Sequence, residues 1–194
     1  MAGAYRAVLP QWSLPKPDSR DYGGDAMKTL AIDIRRADGR DAEAIAEVHH
    51  QAWLGAYSGI IPHRALTRMV GRRGTQWWRN AIKRAANVTV IEIGGEVVGY
   101  ATLGRNRARQ LPQQGEIYEL YLKPEYQGIG LGSRLFSAAR KQLKSHGLKG
   151  VVVWALEDNS NALSFYEGMG GRDVAEGVEV FEAKALRKIA FAWN

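Results

Sequence analysis

Apolar residues along this chain recur with two periods, one of a strand and one of a helix. Leu30-Ala-Ile-Asp-Ile-Arg35 alternates and predicts a strand. Asp38 or Asp41 can cap a helix reaching Tyr57, with Ile45, Val48, Ala52 and Trp53 on one face. Gly59-Ile-Ile-Pro62 breaks it, and helical stretches follow over His63 to Met69 and Thr75 to Ala85. Val88 to Ile93 and Glu96 to Leu103 read as a hairpin turning at Gly94-Gly95. Arg105 to Gln114 is a basic, polar loop, and Glu116 to Leu122 is a further strand. Ser133 to about His146 predicts an amphipathic helix burying Leu135, Phe136, Ala139 and Leu143. A strand over 150–156, a short helix over 160–168, and strands at Val178 to Ala183 and Arg187 to Trp193 complete the order. Strands and helices interleaved in this way make an α/β chain with a mixed sheet.

Residues 1–28 stand apart. They carry Pro10, Pro15 and Pro17, half of the chain's prolines, and show neither period. They are expected to form a flexible N-terminal extension before a single domain over 29–194, and Met27 could be the true start. The 194 residues suffice for one domain with a sizeable core. No apolar run approaches a membrane span, and the start lacks a secretory core. No membrane association is therefore expected, and the cytoplasm is the expected location. With no cysteine in the chain, disulfides, a thiolate nucleophile and thiolate metal sites are excluded. His49, His50, His63 and His146 have no metal-ligand spacing, so no metal is expected. The formal charge of +7 is spread over separate clusters, at Arg35-Arg36, Arg72-Arg73, Arg105/Arg107/Arg109 and Arg140-Lys141/Lys144. That dispersal speaks against a nucleic-acid partner and is compatible with a polyanionic cofactor.

The stretch with the most chemistry is Tyr121-Leu-Lys-Pro-Glu-Tyr-Gln-Gly-Ile-Gly-Leu-Gly132, which joins a strand to a helix. Glycines at 128, 130 and 132 let backbone N–H groups approach a ligand, and the helix start adds partial positive charge. The pair makes an anion site suited to a pyrophosphate. A Walker loop is excluded because no Lys-Ser or Lys-Thr follows the glycines. A dinucleotide G-x-G-x-x-G is excluded because Ser133 or Leu135 occupies the last glycine position. What fits is Q-x-x-G-x-G over Gln127, Gly130 and Gly132. Further on, Asn159, Ala162, Phe165, Tyr166 and Gly170 form an N-x-x-A, aromatic-Tyr, Gly series after the apolar run Val151 to Leu156.

In both motifs and their order the chain resembles the GNAT N-acetyltransferase superfamily from about Ile32 onward. Gly171 departs from the pattern, standing where Phe is common. The resemblance implies a GNAT fold, with a mixed central sheet of about seven strands flanked by helices. It implies acetyl-CoA as co-substrate and an amine as acetyl acceptor. By position it assigns cofactor contacts to Tyr121, Leu122, Gln127, Gly128, Ile129, Gly130, Leu131, Gly132, Ser133, Arg134, Asn159, Ala162 and Tyr166. Arg134 could equally be a solvated helix residue, and Asn159 a helix N-cap, a pantetheine contact or both. Tyr166 would be the proton donor to the leaving sulfur, against the alternative of a core aromatic. Glu116 and Glu119 are the candidate bases. Alternation places them on opposite strand faces unless a bulge intervenes, and motif distance favours Glu116. Trp53 and Tyr57 would border the acceptor pocket.

With no cysteine, direct attack by the amine is expected rather than a cysteinyl intermediate. Competing readings are an acetyl-CoA-binding sensor without catalysis and a GNAT enzyme acting on charged tRNA. The segments 55–75 and 104–115, which would select the acceptor, carry no readable code. A homodimer is possible, and the sequence does not fix the oligomeric state.

Overall fold

The computed structural model describes residues 31–84 and 86–194. The N-terminal extension expected over 1–28, the domain start at 29 and the strand residue Leu30 lie outside them. The first elements are strand β1 (Ile32–Arg36), helix α1 (Ala42–Tyr57), α2 (His63–Arg72) and α3 (Thr75–Lys83). Next come β2 (Val88–Ile93), β3 (Glu96–Arg105), β4 (Gly115–Leu122) and α4 (Leu131–Ser145). β5 (Val151–Leu156), α5 (Ser160–Gly168), β6 (Arg172–Phe181) and β7 (Lys184–Trp193) follow.

Local chemistry sets the boundaries. Asp38 is the cap ahead of α1: its carboxylate accepts from Arg40 N in a 3₁₀ turn, and Asp41 returns a bond to Asp38 N at 2.7 Å. Gly94 and Gly95, at φ 59° and 88°, supply the double left-handed turn that a two-residue hairpin between β2 and β3 requires. β6 begins at Arg172, six residues before the strand expected from Val178. Its Arg172-Asp-Val-Ala-Glu-Gly stretch does not alternate because it is an edge strand with most positions exposed. Pairing with β7 and ion pairs Glu176–Arg187 and Glu179–Lys188, each 2.6 Å, hold it.

The sheet has seven strands among the described residues, in the order β1-β2-β3-β4-β5-β7-β6. All neighbours are antiparallel except β4 and β5, which run parallel and pair only at Gly115↔Val151 and Glu116↔Val152. On one face α4 and α5 bury Leu135, Phe136, Leu143 and Tyr166 against Ile91, Ile117, Val153, Phe191 and Trp193. On the other, α1 and α3 pack Ile45, Val48 and Trp78 on Val88, Val90 and Tyr100. A third cluster joins Trp53 and Leu66 to Leu156, Phe181 and Leu186.

Phe136 is fully buried and its ring meets those of Phe165, Tyr166 and Trp193 at 6.1, 6.0 and 4.8 Å. Phe136→Ala should destabilise the fold by about 3–5 kcal/mol. Urea unfolding followed by tryptophan fluorescence checks this, and a loss below about 1 kcal/mol would place Phe136 outside the cooperative core.

Candidate active site

β4 ends at Leu122, and the chain then makes a 3₁₀ turn over Pro124–Tyr126. Gln127 ties this turn back to the strand, its Nε2 donating to the Leu122 carbonyl at 3.1 Å. Gly128 and Gly130 have φ of 76° and 87°, a backbone region that penalises any residue with a Cβ. Gly130 is the N-cap of α4, and no side chain caps the helix there. The first-turn N–H groups of Leu131, Gly132 and Ser133 therefore lack an intrahelical acceptor and carry the positive end of the dipole. Ile129, at the tip of the loop, is exposed. Ser133 and Arg134 line a groove of about 500 Å³ between α4 and β1, with Ile32, Ile34 and Ser137.

The structure brings Gln127 to Arg134 together at one helix end, with one change of role. The helix starts at Leu131, two residues earlier than expected, so Gly132 lies inside its first turn. A Cβ on Gly132 would stand 3.3 Å from the Phe165 ring. This glycine lets α4 approach α5, whereas Gly128 and Gly130 shape the loop.

Beside the loop the sheet opens. The β3–β4 register runs Thr102↔Glu119 and then Leu103↔Ile117, so Tyr118 is an extra residue in β4. Such a bulge bends and twists its strand. It lies two residues after Glu116, the last β4 residue paired with β5. Beyond that pair the two strands are no longer hydrogen-bonded to each other.

The bulge also resolves the two carboxylates. Glu116 and Glu119 share one face, because the extra residue resets the alternation, and Arg107 acts electrostatically on both. Glu116 is 2% exposed and fully engaged: it accepts from Arg107 N at 2.8 Å, from Nη2 at 2.6 Å and from Nε at 3.2 Å. Arg107 in turn stacks over Tyr118 at 4.2 Å. Glu119 accepts from Arg73 and, at 3.2 Å, from Thr102 Oγ1. Burial pushes its carboxyl above the ordinary range, and Arg73 only partly offsets this.

Four phenols border the same region. Tyr57 on α1 and Tyr121 on β4 share a hydrogen bond of 2.9 Å between hydroxyls. Burial raises the pKa of Tyr57, Tyr100, Tyr121 and Tyr166, so all four remain protonated at neutral pH. Tyr166 comes from the opposite face, packed on Phe136, Phe165, Phe191 and Trp193. Its hydroxyl lies close enough to Tyr57 to feel that phenol electrostatically. Asn159 N-caps α5, its Oδ1 accepting from Ala162 N at 3.1 Å, and its side chain also bears on Tyr57. Tyr57 links Tyr121, Asn159, Tyr166 and Trp53 through its hydrogen bond, its ring contact and its electrostatic neighbours, while Glu116 is bonded to Arg107.

Arg73 and Thr102 escaped the sequence reading, since nothing in the sequence links Arg73 to a carboxylate 46 positions away. Behind them His49 lies 1% exposed, its Nδ1 2.8 Å from the Tyr100 hydroxyl. Burial, with repulsion from Arg73 and His50, lowers its pKa from 6.5 to about 3. Among the described residues no cluster of three or more His, Asp or Glu is placed to hold a metal. No described helix is long and apolar enough to cross a membrane.

Comparison with known proteins points the same way as this geometry. The model of the Acetyltransferase (GNAT) family matches residues 46–170. The protein named "Probable N-acetyltransferase Rv2775" from Mycobacterium tuberculosis is 30% identical over 145 residues, 73% of this chain and 80% of that protein. The protein named "Uncharacterized N-acetyltransferase YuaI" from Bacillus subtilis is 29% identical over 162 residues, 84% of this chain and 92% of that one. Among solved structures, the PaiA N-acetyltransferase from Thermoplasma acidophilum in complex with coenzyme A superimposes with a TM-score of 0.66 at 23% identity. That likeness covers 82% of this chain and 98% of that one and concerns the fold.

The buried neutral His49 makes stability depend on pH. The unfolded chain takes up this proton below about pH 6.5, whereas the native state resists it down to about 3. Stability therefore falls as pH drops through that window, by about 2 kcal/mol between pH 7 and 5. Urea unfolding at the two pH values should show the loss in the wild type. His49→Gln should largely remove it, and an equal pH dependence in the variant would assign it to other groups.

Proposed function

Because this chain belongs to the GNAT acetyltransferase family, we propose that it moves an acetyl group from acetyl-CoA directly to an amine. One observation carries this reading: a left-handed glycine loop caps α4 beyond the end of β4 that no longer pairs with β5. The uncapped N–H groups at Gly130 to Ser133 suit a pyrophosphate, and Arg134 supplies charge beside them. The gap between the strands offers backbone of β4 around Tyr121 and Leu122 to an extended pantetheine arm, with Asn159 at its far wall. Acetyl-CoA, when bound, supplies a thioester carbonyl and a thiolate leaving group.

The residues divide the remaining work. The aromatic wall of Trp53, Tyr57 and Tyr121 with the Glu119 carboxylate suits a cationic amine. Glu119, directly or through water, takes the proton that the amine must lose, and its raised pKa brings it nearer the pH of the reaction. Glu116 serves instead to hold Arg107 and the start of β4, because its carboxylate is 2% exposed and accepts from the backbone and guanidinium of Arg107. The amine nitrogen bonds to the acetyl carbon, the carbon–sulfur bond breaks, and the Tyr166 hydroxyl gives its proton to the sulfur. Burial keeps that hydroxyl protonated, as a donor must be.

Gly130→Glu places a carboxylate and a strained φ at the helix N-terminus, so acetyl-CoA binding should be lost by calorimetry. Affinity equal to the wild type would remove the loop from the cofactor site. An acceptor is first found by following thiol release from acetyl-CoA against amino acids, polyamines, aminoglycosides and peptides.

With that acceptor, Tyr166→Phe should lower kcat about 10²-fold while acetyl-CoA affinity stays nearly level. Glu119→Gln should lower the rate most at the higher pH values, where the wild-type carboxylate is ionised, and so flatten the rise of kcat with pH, while Glu116→Gln should act through stability. Full activity of Tyr166→Phe would assign the proton to water, and a flattened profile in Glu116→Gln alone would exchange the two carboxylates.

A further inference from the structure

A second polar cleft lies at the opposite end of β4 from the glycine loop. It encloses about 330 Å³, at the lower end of small-ligand sites. Arg105, Asn106, Arg109, Gln113, Gln114 and His146 line it. The seven residue steps from Gly115 to Leu122 put roughly 23 Å between the two ends. Helix α4 spans the same distance in the reverse direction, with Gly130 at one end and His146 at the other.

Three observations give the cleft its chemistry. First, it is short of acid. Residues 104–115 and 126–156 contain no Asp or Glu, and Glu116 on the adjoining strand is already bonded by Arg107. No carboxylate lines the cleft to neutralise Arg105 and Arg109. Second, its walls are built. Asn106 Nδ2 donates to the Gln113 carbonyl at 2.7 Å, and Gln114 exchanges bonds with Lys149, N to O at 2.8 Å and Oε1 from N at 3.0 Å. The β3–β4 loop is thereby fixed to the α4–β5 connection. Third, Gln113 is 8% exposed, and its Oε1 is buried with no hydrogen-bond partner among the described residues. Its Nε2 donates to Asn194 Oδ1 at 3.4 Å, and a turn of the carboxamide is needed before a ligand hydroxyl can donate to the enclosed Oε1. The C-terminal dipole of α4 opposes an anion here. Its last carbonyls, of Gln142, Leu143 and Lys144, are however engaged by the N–H groups of His146, Gly147 and Leu148.

We propose that this cleft binds a small phosphorylated ligand, separate from the acetyl-donor site, with Arg105 and Arg109 holding the phosphate. Guanidinium groups pair with phosphate bidentately, and the carboxamides beside them suit a polar remainder such as a sugar hydroxyl. In sequence the cluster at Arg105, Arg107 and Arg109 lies far from His146; the fold brings Arg105, Arg109 and His146 around one opening.

Phosphate chemistry could also come from an RNA backbone, and the glycine loop is itself a phosphate site, so the test separates these. The full chain is first saturated with coenzyme A, and calorimetry of that step reports on the acetyl-CoA reading independently. ADP is then titrated while the side-chain NMR signals of His146, assigned with His146→Gln, are followed. A single-stranded oligoribonucleotide without terminal phosphates is titrated in parallel. One equivalent of ADP should shift the His146 signals, with affinity falling as salt rises. Arg105→Ser combined with Arg109→Ser should weaken that binding about tenfold or more and leave coenzyme A binding unchanged. Unmoved His146 signals, or ADP binding equally well to the double variant, overturn the proposal. Response to the oligoribonucleotide alone also overturns it and makes the cleft a nucleic-acid contact. Failure of coenzyme A to bind would strike the acetyl-CoA reading and leave the ADP titration to judge the cleft.

Discussion

The constraint on which the rest depends is the interrupted ladder between β4 and β5. Two parallel strands in the middle of a sheet normally pair along their length, because buried backbone groups need partners. Here pairing stops after Glu116↔Val152, and Tyr118 is inserted just beyond. The extra residue at Tyr118 coincides with the end of the β4–β5 ladder at the centre of the sheet. The flanking ladders, β3–β4 and β5–β7, remain long and hold the two halves of the sheet in place. The unpaired stretch is thus flanked on both sides by continuous ladders.

The same insertion sorts the polar residues around it. Glu116 and Glu119 are brought to one face, yet their surroundings differ. Glu116 receives a backbone N–H and a guanidinium, and Arg107 stacks on Tyr118, so carboxylate, arginine and bulge form one structural unit. Glu119 pairs with Arg73 from the α2–α3 junction and with Thr102, in a site where burial dominates and raises its pKa. Desolvation of this kind disfavours the charged form of acids and phenols alike, which is why Tyr57, Tyr121 and Tyr166 all stay protonated beside it. One face of the sheet therefore carries a buried carboxylate of raised pKa, and the other a buried phenol that stays protonated.

β4 and α4 lie side by side and antiparallel, which sets the polarity of the domain. At one end the strand delivers the chain into the glycine loop, where the helix presents free N–H groups. At the other end the helix finishes beside the β3–β4 loop with its carbonyls closed by Gly147, at φ 75°, and Leu148. The two ends are thus chemically distinct, one a bare helix start and the other a sealed helix end ringed by side-chain cations.

What the sequence determined by itself is what rests on local rules. Periodicity marked the helices and most strands, because a buried face must repeat at 3.6 or 2 residues. The Gly94-Gly95 turn, the Asp38 cap and the loop from Gln127 to Gly132 were legible, because each depends on residues within a few positions of one another. Edge strand β6 was half legible, because exposure on both faces erases alternation. The pairing of Glu119 with Arg73, the confinement of Glu116 by Arg107 and the convergence of Tyr57, Tyr121 and Tyr166 were decided only in three dimensions. So was the part of Gly132, whose missing side chain serves a contact with Phe165 and not the loop. The physical reason is common to them all: burial and electrostatic partnership depend on which distant segments meet, and a single bulge at Tyr118 changes which side chains face each other without any mark in the local pattern.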